Sequence, residues 1–402
     1  MKADDRRAQN SSRLNSPNYP PGARLDPDHD LSARSSNLPP ANVSCVLRHY
    51  GASLAVYGGA LAILLLNPWF RHLLAPSVGS VSGVKFYVGY FAAYAVLSPV
   101  VYLICRPATL WHSKNVMILQ WLMRLAAHLS RYGFGPGEGS WRPTFKEKHA
   151  FMFLVIKLVY GPLMLNGILV ELQNYPALML QWQQSASLIG RLDCAYAWFV
   201  SSVFLLDCCL FCFGYHAEAR WLRNEVRYVE TSLSGLLVCL LCYPPFNSVT
   251  GAFLGSSNED VNILFRGDLH HPLTWVLRGL AMGALLLLTA ASLSLFTKAS
   301  NLTNRGIVDW GPYRWVRHPG YVGKNLFWLI TLIPVFFAVD SSNPEFPWGD
   351  HLVFCAGRVA GFAGWCAIYV LRALTEERLL LRDPEYQEYC RRVSYRFIPG
   401  LI

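Results

Sequence analysis

From Gly311 to Gly323 the chain reads Gly311-Pro312-Tyr313-Arg314-Trp315-Val316-Arg317-His318-Pro319-Gly320-Tyr321-Val322-Gly323. Guanidinium, imidazole and phenol groups sit there among turn-forming residues, at the start of an apolar run. Past a second apolar run come Thr375-Glu376-Glu377-Arg378-Leu379-Leu380 and an aromatic, basic tail. Pro319 biases His318 away from helical geometry, so Arg317 and His318 should project from a bend, with a helix beginning near Tyr321. Gly320 and Gly323 let a ligand or a neighbouring helix approach the backbone. An antiparallel hairpin of the two runs would return Glu376 and Glu377 to the face that carries Arg317 and His318. Two acceptors and two donors around an apolar crevice can hold a ligand that has both charges and a flat ring. The same residue types also serve as ordinary membrane-edge anchors paired with Glu, so types alone leave both readings open.

The elements that must position these groups are membrane helices. Of 402 residues, 53% are hydrophobic and 15% charged, against roughly 25% charged in a soluble domain. Eight apolar runs approach the ~20 residues that cross a bilayer core: 51–67, 84–104, 150–171, 196–215, 231–253, 273–296, 321–339 and 352–374. The expected fold is therefore all-α, a polytopic helical bundle with about eight transmembrane helices. Pro244-Pro245 breaks the fifth run and predicts a kink or a re-entrant segment. Lys and Arg gather before the third run (Arg106, Lys114, Arg124, Arg131, Arg142, Lys146, Lys148), then at Arg220, Arg223 and Arg227, then at Lys298, Arg305, Arg314 and Arg317. Residues 340–350 carry Asp340, Glu345 and Asp350 without a base. By the positive-inside rule both termini of this multi-pass integral membrane protein face the cytoplasm, as the even count requires. The net charge of +10 is ordinary for loops beside anionic lipid and implies no nucleic-acid partner. Residues 1–45 are polar and proline-rich, with no cleavable signal peptide, and are expected to form a disordered cytoplasmic tail.

Other signals are weaker. Cys209-x-x-Cys212 and Cys239-x-x-Cys242 lie within apolar runs and read as soft hydrophobes between helices rather than metal ligands, so no metal site is expected. Lys157, Asp207 and Arg358 are ionisable residues inside spans, where charge is expensive; Lys157 and Asp207 stand on consecutive runs and could pair. His270-His271 reads as a loop pair without metal. Val116–Leu129, with Trp121, Arg124 and His128, looks amphipathic and suited to an interface. The sequons at Asn10, Asn42 and Asn301 fall on the expected cytoplasmic side and read as chance.

Arg317-His318-Pro319-x-Tyr321-x-Gly323, followed after a hairpin by Glu376-Glu377-x-x-Leu380, resembles the signature of the isoprenylcysteine carboxyl methyltransferase family and its phospholipid-methyltransferase-like relatives. The lead-in Gly311-Pro312-Tyr313-Arg314 and the tail Tyr386-x-x-Tyr389-x-x-x-Val393 look similar too. The resemblance covers about residues 295–402, the C-terminal quarter. It implies an S-adenosylmethionine site. His318, Pro319, Tyr321 and Gly323 would line the cofactor, Glu376 and Glu377 would accept bonds from its polar groups, and Arg317 would meet its carboxylate. Arg317 and Glu377 would be the catalytic pair, and Tyr386, Tyr389 and Tyr395 would close over the site. The implied activity is methyl transfer to a lipophilic small molecule or lipidated substrate (a prenylated or acyl carboxylate, a thiol or a phospholipid amine) arriving from the membrane lipid.

A second resemblance competes. Cys390-Arg391-Arg392-Val393-Ser394-Tyr395-Arg396-Phe397-Ile398-Pro399-Gly400 looks very like the C-terminus of the NADPH-dependent sterol and steroid reductases. Those enzymes usually place Asn after His-Pro and an acid after the following Gly; this chain has Gly320 and Lys324 there, which favours the methyltransferase. A non-catalytic membrane scaffold is the third class, opposed by the joint presence of His318, Tyr321, Glu376 and Glu377. The expected organisation is a tail (1–45), an N-terminal membrane module of unassigned role (46–270) and a methyltransferase-like membrane domain (271–402).

Overall fold

The computed structural model describes residues 39–133, 141–247, 269–337 and 348–400. Helices dominate: α1 (Val43–Leu66), α2 (Pro68–Leu73), α3 (Gly83–Cys105), α4 (Lys114–Tyr132), α5 (Phe145–Gln184), α6 (Leu188–His216), α7 (Leu233–Leu240), α8 (Pro272–Leu295), α9 (Pro319–Phe337), α10 (Trp348–Leu380) and α11 (Pro384–Arg392). The only sheet among the described residues is two short ribbons. β1 (Ser77–Val78) pairs with β2 (Val81–Ser82), and β3 (Tyr228–Val229) pairs antiparallel with β4 (Thr303–Asn304). Five helical segments are long and apolar enough to cross a membrane: Val43–Leu66, Gly83–Cys105, Phe145–Gln184, Leu188–His216 and Pro272–Lys298. The chain is thus a multi-pass, all-α membrane protein.

Side-chain caps start these helices by satisfying backbone N–H groups that have no helical partner. Asn42 accepts from Cys45 N, Ser113 from Val116 N and Ser187 from Gly190 N. Thr144 and Glu147 form a reciprocal capping box at the head of α5. His271, one half of the expected loop pair, caps α8 through Leu273 N, and Pro272 supplies the preset φ of a first helical residue. The capping Asn42 is one of the three sequons.

Several expectations change shape. The first run, expected from 51, is helical from Val43, so the last residues of the expected tail (43–45) belong to α1; residues 1–38 of that tail, Asn10 included, lie outside the described residues. The fifth run is an eight-residue helix over its described part, α7, and its end (248–253) lies outside them. The loop expected at 340–350 lies mostly outside them as well, as does the side chain of Arg358. The amphipathic stretch is α4, packed on α1 and α5: Ile118 joins Val56 and Ala150 in one buried cluster, and Arg124 binds Glu147 at 2.7–2.8 Å.

Two helix pairs carry the core. α5 and α6 bury Phe153, Ile156, Tyr160 and Tyr215 together with Leu74 and Val229. α8 and α9 bury Leu277, Ala281, Leu285, Leu288 and Phe327 against Val203 of α6. Gly323 sets the second packing distance, because a Cβ there would lie 2.8 Å from Ala284 O and from Leu288 N. Its place in the fold is a helix–helix contact.

Candidate functional site

The hairpin of α9 and α10 brings the chemistry-bearing residues together. Gly311, at φ +62°, opens the 3-10 turn Gly311–Arg314, a conformation that suits glycine. The chain then bends through Arg317 into α9, which begins at Pro319, two residues before the expected start. Arg317 N and His318 N donate to Tyr395 O and Arg396 O, both at 2.9 Å. The C-terminal tail is therefore stitched along the bend that presents the imidazole.

Glu377 is the hub of a buried ionic cluster. Its side chain is 4% exposed and meets His318 Nε2 at 3.1 Å, an Arg317 guanidinium nitrogen at 3.2 Å and Arg396 Nε at 3.0 Å. Burial alone would favour the neutral acid, but the bond to His318, the neighbouring charges and the Arg396 bond outweigh it and hold the carboxyl below its ordinary value. Arg317 also donates to Cys390 Sγ (3.3 Å) and to Ser394 O (3.1 Å). This cluster locks hairpin and tail into one unit.

Glu376 faces elsewhere. Its carboxylate accepts from Tyr321 OH and lines a cavity of about 160 Å³. Tyr321 stacks on His318, with ring centroids 5.2 Å apart and planes 6° from parallel, and meets Tyr369 edge-on at 5.3 Å. One turn before Glu376, Arg372 lies over the rings of Tyr243 (5.4 Å) and Tyr321 (5.2 Å) and donates to Asn301 Oδ1. Asn301 is 5% exposed and also donates to Tyr243 OH at 3.0 Å, so this sequon is a buried strut. Asp207 accepts from Ser292 Oγ at 2.5 Å on the same cavity wall.

α11 closes another wall with Tyr386 and Tyr389. Asp383 places that helix, capping it through Glu385 N (3.0 Å) while binding Arg227 and Asn304 at 2.9 Å each. Arg227 directly precedes β3 and Asn304 is the second residue of β4, so the ribbon fixes the terminal helix. Tyr389 OH donates to Tyr313 O at 2.8 Å, which ties the same helix to the Gly311–Arg314 turn.

The seven sequence-predicted positions divide by location. Arg317, His318, Tyr321 and Glu376 line the cavity. Glu377 and Pro319 stand behind it, Glu377 as the buried hub and Pro319 as the first residue of α9. Gly323 faces α8. Tyr386 and Tyr389 line the cavity, and Tyr395 contributes a backbone carbonyl to the bend. The expected pairing of Lys157 with Asp207 does not form: Asp207 lines this cavity and Lys157 lines a different one.

Sequence reasoning missed Tyr243, Asn301, Arg305, Lys324, Tyr369 and Arg372, all cavity-lining. Arg372 carried a readable signal, since it lies four residues before Glu376 on one helical face. Tyr243 and Asn301 arrive by tertiary packing and carried none.

Comparison of the chain with protein-family models, curated proteins and solved structures returned no match.

The donor set nevertheless suits a zwitterionic nucleoside cofactor. Among the described residues the cavity is lined by five cations (Lys298, Arg305, Arg317, Lys324, Arg372), two carboxylates (Asp207, Glu376) and several tyrosines. Four of its lining residues hold buried polar atoms without a hydrogen-bond partner: one terminal nitrogen of Arg305, Arg317 Nε, Tyr369 OH and Tyr386 OH. Buried polar groups are normally paired, so these four atoms carry hydrogen-bonding capacity that the described residues do not use. The volume is below the ~300–1,000 Å³ of typical small-molecule pockets. A whole nucleoside would therefore need the walls of the cavity to part.

Proposed function

We propose that the chain is a membrane-embedded methyltransferase that uses S-adenosylmethionine to methylate a lipophilic acceptor at the cytoplasmic face. The observation that carries this reading is the convergence of Glu376, Tyr321, Arg372 and four unpaired polar atoms on one cavity at the end of a helical hairpin. Bound there, the cofactor would supply an activated methyl group on a sulfonium. Arg305, Arg317 and Lys324 provide positive charge for a carboxylate, and Glu376 and Asp207 provide acceptors for an ammonium or ribose hydroxyl. The faces of Tyr243, Tyr321 and Tyr369 favour a flat base or a cationic centre. Glu377 keeps Arg317 and His318 in register, and fixed orientation of donor and acceptor is where such a site gains most, about 7–11 kcal/mol in favourable cases.

Connectivity supports eight crossings with both termini on one side. α7 starts at the site end, where Ser232 Oγ meets Arg378, and α8 finishes there, with Gly214 packed against Ala299. α8 therefore begins at the opposite end, and on this reading α9 and α10 would be the last two crossings. At the other end of the sequence, Ala41 N donates to Arg106 O (3.0 Å) and Lys114 pairs with Glu218 (2.9 Å), which puts the start of α1 beside the end of α6. The basic loops assign this side to the cytoplasm.

NADPH-dependent reduction is a second reading, favoured by the excess of cations around the cavity, since a phosphorylated dinucleotide is polyanionic. To separate the two, membranes containing the protein are incubated with methyl-tritiated S-adenosylmethionine and extracted into organic solvent. Label in the lipid fraction, lost in Glu376→Gln, is the expected result. Its absence, together with NADPH oxidation by the same membranes, would transfer the chain to the reductases.

A further inference from the structure

A second cavity, of about 390 Å³, lies outside the C-terminal quarter, among α1, α3, α5 and the end of α6. It falls within the size range of small-molecule sites. Five tyrosines from α1 and α3 line it (Tyr57, Tyr87, Tyr90, Tyr94, Tyr102), with Leu61, Leu64, Leu154 and Leu158 completing an apolar body. Tyr94 meets Tyr57 edge-on at 5.2 Å, and its hydroxyl is buried with no hydrogen-bond partner.

The charged end is unbalanced. Lys157 and Glu218 both line the cavity, but Glu218 is already engaged, by Lys114 Nζ at 2.9 Å and Val226 N at 3.2 Å. Lys157 has no ion pair or hydrogen bond among the described residues; its ammonium rests 4.4 Å from the centre of the Phe153 ring. Glu218 attracts the Lys157 ammonium while Lys114 and Arg305 repel it, so one carboxylate serves several cations. An ammonium so placed between membrane helices is costly, and the cavity gives a further anion room to reach it. α3, which forms one wall, has only 6% of its apolar window buried, so that wall borders the surrounding lipid.

We propose that this cavity binds a single-chain amphiphile with an anionic head, the head on Lys157 and the chain among the tyrosines and leucines of α1, α3 and α5. It is separate from the site in the C-terminal hairpin. Tyr215 stands between them, lining this cavity while its hydroxyl accepts from the backbone N–H of Asn301, which lines the other. The proposal therefore does not depend on the methyltransferase reading.

The test uses the full chain in an uncharged maltoside detergent, with fluorescent cis-parinaric acid as the probe. Oleate, monooleyl phosphate and oleyl alcohol compete for it. One or both anions should displace the probe at concentrations at least tenfold below that of the alcohol, and the better of the two identifies a carboxylate or a phosphate head. Lys157→Met should erase the preference for an anion, and Lys157→Arg should retain it. Leu158→Trp should fill the cavity and weaken probe binding at least tenfold with the unfolding temperature unchanged, which keeps the test decisive should Lys157→Met misfold. S-adenosylhomocysteine binding should be the same in all three variants. Equal displacement by alcohol and anions, or an anion preference that survives Lys157→Met, would overturn the proposal.

Discussion

Adjacent glutamates at the end of α10 do different work. Glu376 faces the cavity and accepts from a phenol, whereas Glu377 is enclosed by Arg317, His318 and Arg396. Removing one partner of a buried ionic cluster typically costs about 3–5 kcal/mol, so Glu377→Gln should lower the unfolding temperature of the detergent-solubilised protein. The folded carboxyl titrates below its ordinary value of 4.5. Its stabilisation is therefore complete above that value and is lost as the pH falls through the folded pKa. The gap between wild type and Glu377→Gln should stay constant from pH 8 to pH 6 and narrow below pH 4.5; a gap that widens on acidification would contradict the cluster as described. The meeting of Arg317 and His318 with the two glutamates was legible from order along the chain, because a hairpin returns its ends together. The division of labour between Glu376 and Glu377 was not, since neighbours on a helix point about 100° apart and only the packing of α9 decides which faces inward. Arg396 was equally hidden, lying in a tail whose course is set by two backbone hydrogen bonds.

Among the elements, the α8–α9 contact decides where the bend at His318 sits. Gly323→Ala would bring a methyl group within 2.8 Å of the α8 backbone, and overpacking of this kind costs about 1–3 kcal/mol. Gly279 in α8 has no atom within 4 Å of the corresponding position, so Gly279→Ala should be neutral or stabilise by up to ~1 kcal/mol. Gly323→Ala should lower the unfolding temperature and Gly279→Ala should leave it unchanged or raise it; a harmless Gly323→Ala would show that the helices are less closely packed. Hydropathy made the existence of α3, α5, α6 and α8 readable, but α5 and α6 start at Phe145 and Leu188, before the apolar runs at 150 and 196, because their first turns are polar. The Pro244-Pro245 pair marked a break in the fifth run, but hydropathy did not show that α7 ends already at Leu240, because apolar composition does not say where along a run a helix stops. The β3–β4 ribbon, two residues on each strand, lay below what any periodicity can show.

For the whole molecule, both cavities lie where helices from distant parts of the sequence meet, and residues upstream of 270 (Asp207, Phe211, Tyr243) line the C-terminal one. The upstream module is thus a wall of the site and more than an appendage to it. Just ahead of α1, Ala41 N bonds Arg106 O and Pro39 O accepts from Trp111. Removing residues 1–38 should leave the unfolding temperature and ligand affinity unchanged, while extending the deletion through residue 41 should lower the unfolding temperature. Loss of binding in the shorter deletion would assign the polar tail a part in the site. The polytopic character was plain from composition, since so few charges and so many apolar runs leave no soluble alternative. The second cavity was not, because Lys157 gains meaning only when Glu218 is seen to be held by Lys114.

The most direct test of the function is isothermal titration of the purified full-length protein with S-adenosylhomocysteine and, separately, with NADPH, repeated on His318→Ala. Micromolar binding of S-adenosylhomocysteine alone, weakened at least tenfold in His318→Ala, is the predicted result. Binding of NADPH alone, or of neither ligand by a folded protein, would contradict it.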